Sequence, residues 1–289
     1  MNGILLVDKP MDFTSHDVIA KLRGMLHQRR IGHSGTLDPM ATGLLAVFVG
    51  RATRGVEFAE NHQKEYIATL RCGVSTDTQD ITGNITKTSE QAVSKEQLQA
   101  VLPKFTGDIL QVPPMFSAVQ IDGQRLYKLA RNGIEVERKS RPVTIHKLEI
   151  IGESEGDFIL RVVCSKGTYI RTLCNDIGEA LGTGGTLAAL RRVSAGDFSL
   201  ENALTLDEIQ DLAAKGEIEA HLLPIDGLFA QHPALTITPP QKKKCLCGSS
   251  FETDAPDGSY RVYDEEGDFL MLAAAKDGVM STIKSFFEV

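Results

Sequence analysis

Gly32-His33-Ser34-Gly35-Thr36-Leu37-Asp38-Pro39-Met40-Ala41-Thr42-Gly43 is the stretch on which the reading of this chain turns. Its glycines allow a tight turn or a close approach to a ligand, and Pro39 fixes its own φ and removes a donor. A stiff loop results, presenting one acid, Asp38. Spacing alone also fits a helix start, with Asp38 as N-cap and Pro39 at N1. The two readings are compatible, because a capping carboxylate can still face a cleft.

Outward from that loop, composition bounds the problem. With 289 residues, 42% of them hydrophobic and 24% charged, the chain can bury a substantial core and reads as a globular protein. Met1 to Asp8 lacks a basic leader segment, and no apolar run approaches a membrane span, so a signal peptide and a membrane protein are not expected. Cys72, Cys164, Cys174, Cys245 and Cys247 lack paired metal-ligand spacing, which predicts reduced thiols, no metal site and a cytoplasmic location. The net charge of −7 argues against a nucleic-acid partner, yet the basic residues cluster locally.

Gly3 to Val7 reads as a strand ending at Pro10, followed by a helix capped by Ser15 with Val18, Leu22, Met25 and Leu26 on one face. The run Leu44 to Val49 is too short to assign to helix or strand. Glu65 to Arg71 alternates as a strand, and Ser75 to Ser89 reads as a polar loop. Ser94-Lys95-Glu96-Gln97 and Thr205-Leu206-Asp207-Glu208 are capping boxes, each opening a helix. Pro113-Pro114 forbids regular structure, and Gly123 to Arg131 reads as a helix with a basic wet side. Lys147 to Gly152 and Phe158 to Cys164 form a hairpin with a longer turn, after which a helix capped by Thr168 buries Ile170, Leu173, Ile177 and Leu181 and stops at Gly182. Beyond residue 230 short apolar segments alternate with Asp-Gly and Glu-Gly turns, predicting a small β module.

Phosphate-loop, dinucleotide, zinc-protease and serine-elbow motifs are all absent from the sequence, so the chemistry falls to side chains and no cofactor is expected. Asp38 reads as a nucleophile, a base or a cap. Arg171 is a candidate to hold its charge in a bidentate pair, and Tyr66 and Tyr169 offer ring faces.

The string from Gly32 to Pro39 resembles the catalytic-aspartate motif of the bacterial TruB-type tRNA pseudouridine synthases. Asp8-Lys9-Pro10, Thr14-Ser15, Lys64-Glu65-Tyr66, Gln111 to Ala118, Gly123 to Arg131 and Gly167 to Leu173 follow in the order and spacing of that family. The resemblance implies an α+β fold: a mixed, largely antiparallel central sheet flanked by helices over residues 1–229, with a small β-rich PUA-like RNA-binding domain over 230–289. It implies conversion of a T-loop uridine of tRNA, position 55 in tRNA numbering, to pseudouridine by a base-flipping enzyme that needs no metal or other cofactor. Asp38 would be the nucleophile, attacking the ribose anomeric carbon or helping to expel the base by another covalent or elimination route; Tyr66 would stack on the target base and move a proton, Arg171 would pair with Asp38, Tyr169 would line the pocket, Leu190 would form an apolar wall, and His33 would enter the T loop.

Arg29, Arg30, Arg51, Arg54, Arg131, Arg138, Lys139 and Arg141 would form a local positive surface, with Lys242-Lys243-Lys244 adding a tail contact. The expected partner is the T-arm stem-loop of tRNA; no obligate protein partner or membrane is expected, and a monomer is the default. Asp12 departs from the family, which commonly has glycine there. Two rivals are a non-catalytic tRNA-binding or folding protein on the same scaffold and a guide-dependent rRNA pseudouridine synthase.

Overall fold

Strands β1 (Gly3–Lys9) and β3 (Thr42–Val49) pair antiparallel, and their side chains alternate between two buried layers. Leu5, Val7, Leu45, Val47 and Val49 face one core cluster, and Ile4, Leu6, Leu44, Ala46 and Phe48 face another. Burial on both faces explains why the run at Leu44 to Val49 carries no alternation and yet is a strand. The computed structural model describes residues 1–59 and 63–287.

The remaining strands are β2 (Ile31–Ser34), β4 (Lys64–Cys72), β5 (Val74–Thr76), β6 (Ile85–Thr88), β7 (Gly107–Gln111), β8 (Gln120–Ile121), β9 (Gln124–Arg125), β10 (Arg141–Ser154), β11 (Asp157–Cys164), β12 (Gly185–Ala195), β13 (Phe198–Ser199), β14 (Ala234–Thr236), β15 (Phe251–Glu252), β16 (Gly258–Tyr263), β17 (Phe269–Lys276) and β18 (Val279–Ser285). The α-helices among the described residues are α1 (Ser15–Met25), α2 (Val56–Ala59), α3 (Lys95–Val101), α4 (Leu126–Arg131), α5 (Ile170–Leu181), α6 (Leu206–Lys215) and α7 (Pro239–Leu246).

Among the described residues nine strands form one sheet in the order β1-β3-β12-β4-β11-β10-β7, with β2 beside β3 and β13 beside β12. Every pairing in it is antiparallel except that of β12 with β3, so the sheet is mixed and largely antiparallel, as expected. Helix α5 lies over the β4, β11 and β12 region, where Ile170, Leu173, Cys174 and Ile177 share a core with Tyr66, Ala68, Leu160 and Val162. Helices α1 and α6 cover the sheet near β1 and β3. A second sheet, ordered β14-β16-β17-β18-β15, holds its own core around Val262, Met271 and Met280. No helix of the described residues is long and apolar enough to cross a membrane.

Several local expectations are corrected. Thr14, one residue before Ser15, caps α1: its hydroxyl accepts from Asp17 N, while the Asp17 carboxylate accepts from Thr14 N. Asp38 and Pro39 start no helix. The segment Ser75 to Ser89 contains the β5–β6 hairpin, whose register its polar side chains conceal. Helix α4 begins only at Leu126, because Asp122 and Gly123 take positive φ and form the β8–β9 turn. The β10–β11 hairpin closes on the two positive-φ residues Glu155 and Gly156, so its turn is shorter than the polar run suggests. Thr168 donates to Ser165 O instead of capping α5, whose N-cap is Tyr169. The tail contains α7, which carries the three lysines.

Asp12 adopts φ +64, a left-handed conformation that glycine supplies freely and aspartate tolerates, so the turn forms with aspartate in place. Its backbone N–H donates to Pro39 O at 2.9 Å, which ties this turn to the Asp38 loop.

Candidate active site

Leu37, Met40 and Ala41, on either side of Asp38, are buried in the core beneath α5. Leu37 is also clasped by Ser15 of α1: its N–H donates to Ser15 Oγ at 3.0 Å, and that hydroxyl donates back to Leu37 O at 3.3 Å. Ala41 N–H donates to Asp38 O at 3.1 Å and closes the turn. Gly43 then enters β3 where an added Cβ would collide with the Arg192 backbone carbonyl, so only glycine fits. With its neighbours anchored, Asp38 keeps a partly open carboxylate, its side chain 38% exposed.

Arg171, in the first turn of α5, reaches this carboxylate with Nε at 3.0 Å from Asp38 Oδ2. The pair is single-pronged, which corrects the bidentate expectation. The other guanidinium nitrogens are committed elsewhere: Nη1 lies 3.4 Å from Asp80 Oδ2 and 3.3 Å from Thr78 O, and Nη2 lies 2.9 Å from Phe116 O. Asp80 was not singled out from the sequence, because it lies in what read as a plain polar loop. It is 3% exposed, and its Oδ1 accepts from Thr78 Oγ1, Thr82 N and Thr82 Oγ1. The compositional signal was available in the hydroxyl-rich string Thr76-Asp77-Thr78-Gln79-Asp80-Ile81-Thr82, which supplies those donors.

Withdrawal from water holds the Asp38 carboxyl above its usual range; Arg171 and Lys9 oppose the rise, and Asp80 adds to it. Lys9 is fully buried, with Nζ donating to Pro10 O, Phe13 O and Pro39 O. Burial lowers its pKa to about 8 against the pull of Asp38.

Tyr66 of β4 is 7% exposed and belongs to the same core cluster as Leu37 and Leu190. Burial raises its phenol pKa, and Arg192, opposite it across β12, lowers it. Leu190 stands opposite Ala68 on the same pair of strands, two residues before Arg192. Tyr169 is the N-cap residue of α5, and Gln111 grips its backbone from β7: Tyr169 N donates to Gln111 Oε1 at 2.8 Å, and Gln111 Nε2 donates to Tyr169 O at 3.0 Å.

His33 belongs to strand β2, paired with Val47. Its ring meets His16 edge-on at 5.5 Å, and its Nδ1 is buried without a hydrogen-bond partner among the described residues. Burial, with His16 and Arg192 adding, lowers its pKa from 6.5 to about 4. The folded chain therefore takes this proton only at lower pH than the unfolded chain does. The stability associated with neutral His33 is fully present above about pH 6.5 and is lost as pH falls toward 4. The expected outcome is that the His33 ring signals, followed by NMR, stay fixed from pH 8 to about pH 5.5; a midpoint near 6.5 would contradict this environment.

Some of the basic residues are engaged within the folded chain. Arg54 Nη1 donates to Ser285 O and Oγ and to Phe287 O, which fastens the tail sheet to the body. Lys242 pairs with Asp264 at 2.8 Å and Glu266 at 3.3 Å. Both side chains make structural ties within the folded chain. Arg29, Arg30, Arg131, Lys139 and Arg141 remain exposed.

Fold and site together define an enzyme class that sets one carboxylate against a buried arginine on a mixed α+β sheet. A family model for the TruB family pseudouridylate synthase N-terminal domain matches residues 23–170, and one for the tRNA pseudouridylate synthase B C-terminal domain matches 171–230. A Clostridium kluyveri protein named tRNA pseudouridine synthase B is 39% identical over 99% of this chain and 100% of its own length. A Dechloromonas aromatica protein of that name is 45% identical over 92% of this chain and 89% of its own. The crystal structure of the archaeal box H/ACA sRNP Nop10-Cbf5 complex contains a chain matched at TM-score 0.72 and 24% identity, covering 99% of this chain and 86% of that one, a likeness of fold. The chain belongs to the TruB family and is an RNA pseudouridine synthase.

Proposed function

We propose that this chain isomerises the T-loop uridine of tRNA, position 55 in tRNA numbering, to pseudouridine, with Asp38 as the carboxylate that acts on the ribose of an unstacked nucleotide. The observation that carries this reading is the 3.0 Å pair between Arg171 Nε and Asp38 Oδ2 at the foot of a loop anchored on both sides. The guanidinium orients the carboxylate and favours its ionised form. Isomerisation detaches uracil at N1 and rejoins it at carbon 5, with no atom gained or lost. Extruding the base costs a few kcal/mol, recovered by stacking on an aromatic face. Tyr66 is assigned that face and the proton transfer at carbon 5. Tyr169 lines the pocket, Leu190 walls it, and neutral His33 fills the place that the extruded nucleotide leaves in the T loop.

Residues 1–229 serve as the catalytic domain and 230–289 as a PUA-like RNA-binding domain. The enzyme acts as a cytoplasmic monomer on the T-arm stem-loop, without an obligate protein partner. Relatives named tRNA pseudouridine synthase B support tRNA as the substrate over a guide-dependent rRNA target. Incubating the purified chain with an unmodified tRNA transcript and mapping pseudouridine tests the reading. Modification confined to the T loop is expected; modification elsewhere, or none, overturns it.

A further inference from the structure

Among the described residues, three basic side chains are buried, Lys9, Arg171 and Arg192, and all three adjoin the Asp38 loop or Tyr66. Two acids answer them, Asp38 and Asp80, both on Arg171. Arg192 is 1% exposed and pairs with no carboxylate among the described residues. Its Nε donates to Leu44 O at 2.7 Å and its Nη2 to Gly35 O at 2.8 Å, while Nη1 is buried without a hydrogen-bond partner. A buried guanidinium held by two carbonyls is costly to keep unless something uses its charge.

The position of Arg192 indicates that use. It lies on the central strand β12, opposite Tyr66 of β4, and residues paired in this way project to the same face of a sheet. Gly35, at the base of the Asp38 loop, has φ +68, and a Cβ there would stand 3.2 Å from Arg192 Nη1, so the loop lies directly on the guanidinium. One side chain thus supports both the loop bearing Asp38 and the strand bearing Tyr66.

We propose that Arg192 is a positioning residue that serves as the fixed counter-charge for the uracil released during the reaction, acting from beneath Tyr66. This rests on the isomerisation proposed above. When the bond between C1′ and N1 breaks, its electron pair leaves with N1 and the departing base is a uracil anion. If Asp38 attacks C1′, its charge is consumed in the new C–O bond; if it takes the neighbouring C2′ proton, its charge is consumed in the new O–H bond. Either way the negative charge moves from Asp38, beside Arg171, to the detached ring. A preorganised cation on that side needs no reorganisation as the charge arrives. The pull of Arg192 on the Tyr66 phenol agrees with this placement.

The test compares Arg192→Gln and Arg192→Lys with the unaltered chain in single-turnover consumption of uridine in a T-arm RNA, and of 5-fluorouridine at the same position, whose fluorine stabilises the departing anion. Melting temperature and RNA affinity are measured alongside. Arg192→Gln is expected to slow uridine consumption by about 10²-fold, to slow 5-fluorouridine by about ten times less, and to leave RNA affinity within about threefold. Arg192→Lys, which keeps the charge, should stay within about tenfold of the unaltered chain. Equal slowing of both substrates by Arg192→Gln, or an Arg192→Lys variant that folds yet is as slow as Arg192→Gln, overturns the counter-charge. If Arg192→Gln does not fold, the ratio of 5-fluorouridine to uridine rates in Arg192→Lys decides: an unchanged ratio supports the proposal, and a change beyond about threefold overturns it. Failure of the unaltered chain to consume either substrate overturns the isomerisation reading itself, and this inference with it.

Discussion

Asp38→Asn is expected to reduce single-turnover pseudouridine formation by about 10⁴-fold or more, the scale seen when a nucleophile is removed from a working site. The substitution is nearly isosteric, and the loop's own anchors at Ser15 and Leu37 do not involve the Asp38 side chain, so the loop should keep its shape. What disappears is the anionic oxygen. RNA affinity should hold or improve, because a negative charge is removed from a surface that meets phosphates. Release of label from carbon 5 of the target uridine measures the loss, and residual activity within tenfold would remove Asp38 from its assigned role. The raised pKa of Asp38 adds a pH signature. The carboxylate must be ionised to act, so activity should climb with pH through a midpoint above that of an ordinary aspartate.

Asp80→Asn is expected to lower turnover by about 10²-fold and stability by about 2–4 kcal/mol. Two effects oppose one another. Removing the Asp80 charge lowers the Asp38 pKa, since Asp80 contributes to the rise, and this favours the working ionisation state. Against that stands the hydrogen-bond pattern. Asp80 Oδ1 accepts three donors from Thr78 and Thr82, and Oδ2 faces Arg171 Nη1. Asparagine has one acceptor oxygen, so its NH₂ must confront either the guanidinium or the Thr82 backbone N–H, even if the threonine hydroxyls turn to accept from it. Both arrangements set donor against donor in a buried place, and the second effect wins because it displaces the arginine that orients Asp38. If Asp80 acted through charge alone, Asp80→Asn would be as fast as the unaltered chain or faster, with the acid limb shifted down. Thermal unfolding and the pH–rate profile together separate the outcomes.

Much of the scaffold was legible locally. The boxes at Ser94 and Thr205 cap α3 and α6 as read, because a hydroxyl and a side-chain acceptor three residues on satisfy the same orphan donors wherever they occur. Gly182 ends α5 in the left-handed conformation for an equally local reason. Thr14 and Ser15 were harder to separate, since either hydroxyl suits the cap; the choice falls to Thr14 because Ser15 is engaged by Leu37, 22 residues away. The β5–β6 hairpin escaped because its outer strand is exposed throughout and has no apolar face to reveal it.

By itself the sequence determined the helices opened at Ser94 and Thr205, the stop of α5 at Gly182, and that one acid stands in a glycine-flanked, proline-stiffened loop beside an apolar run. These depend on neighbours a few residues apart, whose periodicity and capping chemistry act before the chain is compact. Tertiary structure alone decided that Asp80 meets Arg171, 91 residues further on, and so shares it with Asp38, that the pair of Arg171 with Asp38 is single-pronged, and that Arg192 adjoins the Asp38 loop and stands opposite Tyr66. The reason is physical: a charge finds its counter-charge by position in the folded sheet, and sequence spacing carries no record of which distant strands will lie side by side.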